Sequence, residues 1–353
     1  MRAAWIAPGL YTLATASCLF MPDIGRYGYS ECKSTSQCGP GRTCQAGYCA
    51  PPAWWDEKYA ARHQVLVVND GSLTVAAGSV LEFEVGGAGA LTVDETGFAP
   101  ALVFDDRVAG QQGPAAALRE PRGDHYAFVF RLPADVAPKT TFGNLWLYTL
   151  ASDEVAPSYS APGDVYGFFD SFDGAALAAD NFRVDGIIDV NGGQAILRSH
   201  SWLVTVATFR SSVAVVDVQL LGASCGNFGF GFGGSRNPQS LEPPYAMFVA
   251  DASGTIQHEV WSSTQATIQL LETPFPSDGQ DHRLAVAVAG PSVVFSVDGI
   301  VTAEGETTFA LDGDLHVHLY SNDCDVRVAA LQVSSRPTEM PTVRVDDAVT
   351  WFR

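Results

Sequence analysis

The chain of 353 residues is long enough for two domains with additional segments, and its apolar content of 47% is sufficient for sizeable cores. Its formal charge is −19, from 39 acidic and 20 basic residues, and only three of the basic residues are lysines (Lys33, Lys58 and Lys139). Nucleic-acid binding requires clustered Lys and Arg side chains, and the sequence has no such cluster, so nucleic acid is excluded as a partner. We interpret the acidity as a solvated surface.

The N-terminus predicts export from the cytoplasm. Met1-Arg2 is followed by a mainly apolar run from Ala3 to Ala16, which is typical of a secretory signal over residues 1–18 and too short for a membrane span. Thr15–Cys18 is similar to a bacterial lipobox, although Thr15 stands where Leu is usual, so lipidation of Cys18 and ordinary cleavage both stay open. We therefore predict a secreted or outer-envelope protein with no membrane span, anchored by lipid if Cys18 is acylated.

The cysteine pattern agrees with an oxidising compartment. If Cys18 carries lipid, six cysteines remain, an even number that favours disulfides. Four lie in a Gly- and Ser-rich module within residues 19–53, which ends in the linker Ala50–Ala53. Their spacing lacks the paired C-x2-C of a zinc knuckle, so we predict disulfides. The six cysteines are Cys32, Cys38, Cys44 and Cys49 of the module, and Cys225 with Cys324, which we expect to pair with each other.

Residues 54–162 are predicted to form an all-β domain. Apolar and polar residues alternate over short segments bounded by turn residues, and no window keeps a helical period over a dozen residues. The segment Val155–Gly163, rich in Pro and small residues, is predicted as the boundary of this domain. The predicted strands are His63–Val68, Val80–Val85, Ala101–Phe104, Tyr126–Leu132 and Leu145–Tyr148.

Residues 163–338 are predicted to form a second β-sandwich, followed by a C-terminal tail at 339–353. Strands recur about every ten residues, the spacing of a sandwich. In Asn227–Phe232, Gly alternates with Phe; this pattern fits a tight bend over a Phe core, or a bare face that a ligand approaches. The strands are Gln194–Leu197, Leu203–Phe209, Val213–Leu220, Asn227–Phe232, Tyr245–Ala250, Thr255–Trp261, a hairpin over Arg283–Ile300, Leu315–Tyr320 and Val326–Val333.

With these residues in place, the chain resembles bacterial surface proteins that join a DUF2341 domain to a concanavalin A-like (laminin G-like) jelly roll. The resemblance covers most of residues 54 to 343 and implies two β-sandwiches. At the positions where laminin G-like hairpins usually carry Trp and Tyr, this chain has Asp281 and Phe295. The matching segments are Trp54–Arg62, Leu102–Asp106, Leu145–Tyr148, Phe169–Gly174, Asp281–Val288, Val294–Gly299 and Pro337–Val343.

Concanavalin A-like folds include glucanases, so we searched for catalytic residues. Retaining β-glucanases carry an acidic E-x-D-x-x-E triplet on one strand face. The nearest strings are Glu82-Phe-Glu84 and Asp323-Cys-Asp325, and neither completes it. There is no G-x-S-x-G elbow. His316 and His318 share a strand face, but without a third ligand they predict an exposed histidine pair rather than a metal site. The sequence thus predicts that the protein is not an enzyme.

A calcium site is predicted from aspartates on the first and last strands of the second domain, which often pair in a jelly roll. Oxygen-rich clusters suit Ca²⁺, whereas an Asp beside Gly or Asn most often makes a turn, and both interpretations stay open. The candidate ligands are Asp170, Asp173, Asp323 and Asp325.

For ligand binding, sugars stack on exposed aromatic rings and hydrogen-bond to nearby amides and carboxylates. We expect the jelly roll to bind carbohydrate or a cell-surface protein. A purely structural adhesion or spacer module and a diverged glycoside hydrolase are the alternatives. The candidate ligand-binding residues are Trp202, Asn227, Arg236, Asn237, Tyr245, Trp261 and Tyr320.

Overall fold

The structure is a computed structural model. It describes residues 31–39, 42–45, 47–50, 59–86, 101–106, 111–122, 125–150, 160–221, 227–250, 255–262, 266–268, 273–274, 279–307, 311, 313–345 and 349–350. The predicted signal segment 1–18 with Cys18 lies outside these ranges, and so does Cys225. Within the described ranges, no helix is long and apolar enough to cross a membrane.

The cysteine-rich module is held by two disulfides, Cys32–Cys44 and Cys38–Cys49, so the predicted disulfides of this segment are confirmed. It contains a 3-10 turn at Thr35–Gln37 and a two-stranded ribbon of β1 (Thr43–Gln45) and β2 (Tyr48–Ala50). A ribbon this small buries too little apolar surface to stand alone, so the cross-links supply its stability. Cys324 is also disulfide-bonded.

The first sandwich packs a sheet of order β3-β9-β5-β6 against a three-stranded sheet of order β4-β8-β7. Alternating residues of the strands, among them Val65, Leu147, Phe128 and Phe130, meet between the sheets and are almost completely buried. The strands are β3 (Tyr59–Asn69), β4 (Val80–Gly86), β5 (Ala101–Asp106), β6 (Gln111–Pro114), β7 (Ala117–Arg122), β8 (His125–Arg131) and β9 (Thr140–Leu150).

A short helix, α1 (Pro162–Val165), leads into the second sandwich. The strands of this sandwich are β10 (Phe168–Asp170), β11 (Phe182–Asp185), β12 (Ile188–Val190), β13 (Ala195–Leu197), β14 (Ser201–Thr205), β15 (Ser212–Leu221), β16 (Phe228–Gly233), β17 (Tyr245–Ala250), β18 (Thr255–Trp261), β19 (Ala266–Ile268), β20 (Thr273–Pro274), β21 (His282–Ala289), β22 (Ser292–Val297), β23 (Ile300–Glu306), β24 (His316–Ser321) and β25 (Asp325–Ser335).

The second sandwich consists of two antiparallel sheets. Sheet 1 has the order β12-β13-β25-β15-β21-β22-β23, with β10 beside β25, and sheet 2 has the order β11-β14-β24-β16-β17-β18-β19, with β20 beside β18. Their inner faces meet in one core, to which Val216 of sheet 1 and Phe228, Phe230 and Phe232 of sheet 2 contribute. Full burial of each such side chain contributes about 1.5–3 kcal/mol, so the Phe residues of β16 anchor sheet 2 against sheet 1.

The chain returns to the first sandwich at its end. β26 (Thr342–Val345) pairs antiparallel with β3, with Thr342 opposite Val68 and Val345 opposite Val65, and β27 (Val349–Thr350) also pairs with β3. Residues 339–353, which the sequence predicts as a tail, therefore include strands of the first sandwich. Since this pairing closes the chain on itself, both sandwiches belong to one unit, residues 55–352.

Candidate functional site

The outer face of sheet 2 carries a cluster of aromatic and apolar side chains that does not belong to the core between the sheets. Inward residues such as Leu319 and Phe248 alternate with outward residues such as Tyr320 and Met247, as the two-residue period of a strand requires. We call this surface the aromatic face. It comprises Trp202, Leu241, Tyr245, Met247, Val249, Trp261 and Tyr320.

Two stacked ring pairs form the ends of the aromatic face. Trp202 of β14 and Tyr320 of β24 are register partners, with ring centroids 4.4 Å apart and planes inclined by 24°. Tyr245 of β17 and Trp261 of β18 are also partners, with centroids 6.0 Å apart and planes inclined by 29°. Both Trp side chains are only half-buried. The structure thus brings four of the predicted ligand-binding residues together on one face.

The glycines of β16 make room for this arrangement. Phe228, Phe230 and Phe232 point into the core, which leaves the glycines between them on the aromatic face. A Cβ atom at Gly229 would overlap the ring of Tyr320, which lies over this backbone. The Phe core of the first interpretation is present, and the glycine face is not bare, because the rings of Tyr320 and His318 lie against Gly229 and Gly233.

Next to the Tyr245–Trp261 pair lies an acidic group that the sequence prediction missed. The Tyr245 hydroxyl donates a hydrogen bond to Oε2 of Glu259 at 3.2 Å. Burial, followed by the negative charge of Glu259, raises the pKa of Tyr245 well above its usual range, so the phenol stays protonated. Glu259 and Trp261 are two residues apart on β18 and therefore lie on the same, outer side of the strand. This two-residue period is the signal in the sequence that could have identified the carboxylate.

The two histidines of β24 are buried, so the predicted exposed pair is wrong. His316 donates from Nδ1 to the backbone oxygen of Thr205 at 2.7 Å, and His318 donates from Nε2 to the backbone oxygen of Ser235 at 3.0 Å. Burial is the main cause that lowers the pKa of His318, to about 4, and the hydrogen bond to Ser235 opposes it. His318 is therefore neutral at pH 7, with Nδ1 available as an acceptor.

Three buried polar atoms at this surface have no hydrogen-bond partner in the described part of the chain. They are the indole Nε1 of Trp261, Nδ1 of His318 and Oδ1 of Asn227, which directly precedes β16. Leaving such a group unpaired costs about 1–3 kcal/mol. Trp261 and Asn227 are half-buried, so a bound molecule that offers both donors and acceptors would satisfy these two, whereas His318 has no exposed surface.

Residues 234–244, which connect β16 to β17, fold over part of the aromatic face; we call them the crossing loop. The backbone N–H of Gly234 donates to the oxygen of Pro244 at 3.0 Å and closes the neck of the loop. Gln239 donates from Nε2 to Oδ2 of Asp185 on β11 at 2.6 Å, and Leu241 packs into the aromatic cluster. The predicted ligand-binding residues Arg236 and Asn237 are exposed on this loop.

The four aspartates of the predicted calcium site form two separate pairs. The first and last strands do pair, as the prediction assumed, but Asp170 lies opposite Leu331. Asp325 is six residues from Leu331 along β25, which corresponds to about 20 Å. Arg198 also binds Asp325 at 2.7 Å, and Asp170 accepts from the backbone N–H of Phe172. In the described ranges, the one group with metal-ligand spacing consists of Cys32, Cys38 and Cys49, which are in disulfides.

The second sandwich is a jelly-roll type of β-sandwich with an aromatic outer sheet face. No protein-family model matches the chain, and no curated protein matches it.

Solved structures match this chain at low identity, each over about half of its length. One is a structure from work on endo-acting O-glycanases of the human gut microbiota (15% identity, 49% of this chain and 100% of that chain, TM-score 0.41). Others are an endo-β-1,3-glucanase from Pyrococcus furiosus (13%, 49% and 94%, 0.41) and a β-glucanase from Bacillus licheniformis (12%, 48% and 98%, 0.39). At these identities the similarity concerns the fold alone.

The prediction that the protein is not an enzyme is corrected by these comparisons, because endo-glucanases are among the solved structures that the chain resembles. We therefore do not conclude that the protein lacks catalytic activity.

Proposed function

We propose that the protein binds carbohydrate on the aromatic face of its second sandwich. The observation that carries the proposal is the presence of two stacked ring pairs, Trp202 with Tyr320 and Tyr245 with Trp261, on one sheet face with the Glu259 carboxylate near the second pair. Pyranose rings present apolar C–H faces that pack on aromatic rings, and hydroxyl groups that bind carboxylates and amides.

The unpartnered polar atoms support the same ligand class. Trp261 offers a donor and Asn227 offers an acceptor. A saccharide hydroxyl both donates and accepts a hydrogen bond, so one kind of ligand can satisfy both atoms, whereas His318 has no exposed surface. A purely apolar ligand would leave them unpaired, at the cost of their desolvation.

The overall charge favours a neutral glycan over an acidic one. The chain carries a formal charge of −19, and Glu259 places a carboxylate on the proposed binding surface. Sulfated or uronic-acid polymers would be repelled by both. The disulfides of the N-terminal module fit a protein that meets such glycans in an oxidising, extracellular or envelope compartment.

The test is binding of the full chain to a linear β-1,3-glucan, a mixed-linkage β-glucan and mucin, measured by calorimetry or affinity electrophoresis. Trp261→Ala should weaken binding about tenfold, which corresponds to about 1.4 kcal/mol. The matched control is Ile300→Ala, which removes an exposed apolar side chain of β23 on sheet 1 and should leave binding unchanged. If no glycan binds the wild-type protein, the proposal fails, and a structural spacer or a protein-contact module takes its place.

A second candidate function is glycoside hydrolysis, and Glu259 is the observation that favours it. Glycosidases usually use a pair of carboxyl groups about 5–9.5 Å apart, one of them as an acid. Glu259 is half-buried on the aromatic face and accepts a hydrogen bond from Tyr245, so it is the residue we expect to act as one member of such a pair. Release of new reducing ends by the wild type, and its loss in Glu259→Gln, would establish hydrolysis; no release from any of the three glycans would exclude it for them.

A further inference from the structure

The crossing loop divides the aromatic face into a closed side and an open side. In sheet 2, β16 is followed in one direction by β24, β14 and β11, and in the other by β17 and β18. The loop leaves from β16, and its residue Gln239 is bound to Asp185 of β11, three strands away. At about 4.8 Å per strand, the loop spans about 14 Å across the closed side.

Burial agrees with this path, with Trp202 of β14 as the half-buried exception on the closed side. Val204 of β14 and His318 of β24, which lie on the outer face under the loop, have no exposed surface, and His318 is bound to Ser235 of the loop. On the open side, Gln257, Glu259 and Trp261 of β18 all remain partly exposed. Tyr245 and Met247 of β17 are buried, so a ligand reaches the face over β18.

Leu241 lies at the boundary between the closed side and the open side of the aromatic face. It packs in the same cluster as Tyr245 and Met247 on one side and Tyr320 on the other. A saccharide chain that lies across the strands from Trp261 towards β17 would meet Leu241 and could continue only by displacing the loop. Three contacts oppose that displacement: the Gly234–Pro244 neck, the Ser235–His318 hydrogen bond and the Gln239–Asp185 hydrogen bond.

We propose that the aromatic face recognises the end of a neutral saccharide chain and not its interior, because the crossing loop closes the surface beyond Leu241. This inference rests on the proposed carbohydrate binding and adds the position in the polymer that is bound. The terminal sugar stacks on the half-buried Trp261, hydrogen-bonds to Glu259, and abuts Leu241.

The experiment measures stoichiometry by calorimetry with two fractions of a linear β-1,3-glucan that differ several-fold in mean chain length. Recognition of chain ends predicts one protein bound per chain in both fractions. A number of bound proteins that rises in proportion to chain length overturns the inference. In that case a tenfold effect of Trp261→Ala would still support the proposed function; if neither fraction binds the wild type, both proposals fail.

A loop variant tests the cause. Gln239→Ala removes the anchor to Asp185 and should raise the number of proteins bound per long chain, because the loop can then move aside. The matched control is Gln332→Ala on β25 of sheet 1, which should behave as the wild type. Both variants are compared at equal folded fraction, measured by circular dichroism. An unchanged stoichiometry, or a complete loss of binding, in Gln239→Ala would show that the loop is not the barrier.

Discussion

The hydroxyl group of Tyr245 lies 3.2 Å from Oε2 of Glu259, on the neighbouring strand of the same sheet face. This pair places a protonated phenol and a carboxylate next to an aromatic stack on the outer face of sheet 2. Since β17 and β18 pair directly, the sheet fixes the geometry of the two groups, and neither depends on a loop for its position.

Glu259→Gln should lower the pKa of Tyr245, because the substitution removes the nearby negative charge that disfavours the phenolate. Burial, which is the larger cause, should still hold the pKa above the usual value of about 10. The measurement is a titration of tyrosinate absorbance in both proteins. Glu306→Gln, an exposed position on β23 of sheet 1, is the control. Identical titration curves for Glu259→Gln and the wild type would contradict the assignment.

His318 should make the second sandwich sensitive to acid. Its pKa is lowered from the ordinary 6.5 to about 4, so the unfolded chain takes up the proton before the folded one does. As the pH falls from about 6.5 to about 4, stability is lost progressively, by about 3 kcal/mol in total. Above pH 6.5 this residue contributes no pH dependence.

His318→Gln tests this, because the amide can still donate to the Ser235 oxygen and cannot take up a proton. The free energy of unfolding is measured for both proteins by denaturant titration. As the pH falls from 6.5 to 4, the wild type should lose stability and the variant should not lose it from this position, so the difference between them changes in favour of the variant. His200→Gln, at an exposed position, should show no such trend. A difference that stays constant with pH would mean that His318 does not remain neutral in the folded state.

Gly229→Ala should destabilise the aromatic face. The added Cβ atom would overlap the Tyr320 ring, which must then move away from Trp202 or push the backbone of β16 outward. Overpacking of this kind costs about 1–3 kcal/mol. The control is Gly113→Ala in β6, where a Cβ atom meets nothing within 4 Å. The melting temperature and the near-UV circular dichroism of the Trp–Tyr stack report the effect, and equal behaviour of the two variants would refute it.

Alternation along the chain predicted the strands well, because a two-residue period is a local property. The segment Val213–Leu220 falls within β15 (Ser212–Leu221). The hairpin Arg283–Ile300 contains β22 (Ser292–Val297) and all of β21 (His282–Ala289) except its first residue. The exposure of side chains on the outer face was less predictable. His318 is bound to Ser235 of the crossing loop and His316 to Thr205 at the end of β14, and no local pattern encodes these distant contacts.

The same limit applies to the candidate site. The four aromatic residues could be named from their type and strand position, but their pairing follows from the strand order of sheet 2, in which β24 lies between β14 and β16. The four aspartates predicted to bind calcium do not form one cluster, for a related reason. The pairing of β10 with β25 was anticipated, whereas its register, which separates Asp170 from Asp325, was not.

The C-terminal return predicts a last effect, in the first sandwich. Glu339, just before β26, accepts hydrogen bonds from the Ser72 hydroxyl at 2.7 Å and from the backbone N–H groups of Ser72 and Leu73. These bonds lower the pKa of Glu339, the Ser72 hydroxyl first. For a carboxyl group with a lowered pKa, the stabilisation is present above its ordinary value of about 4.3 and is lost as the pH falls through the folded-state value.

Glu339→Gln should therefore lower the melting temperature at neutral pH and have a smaller effect in acid, whereas Glu304→Gln on exposed β23 should have none. If Glu339→Gln were as stable as the wild type at pH 7, residues 339–345 would be held by the β26–β3 pairing alone, and hydrogen exchange of the β26 amides would then be unchanged by the substitution.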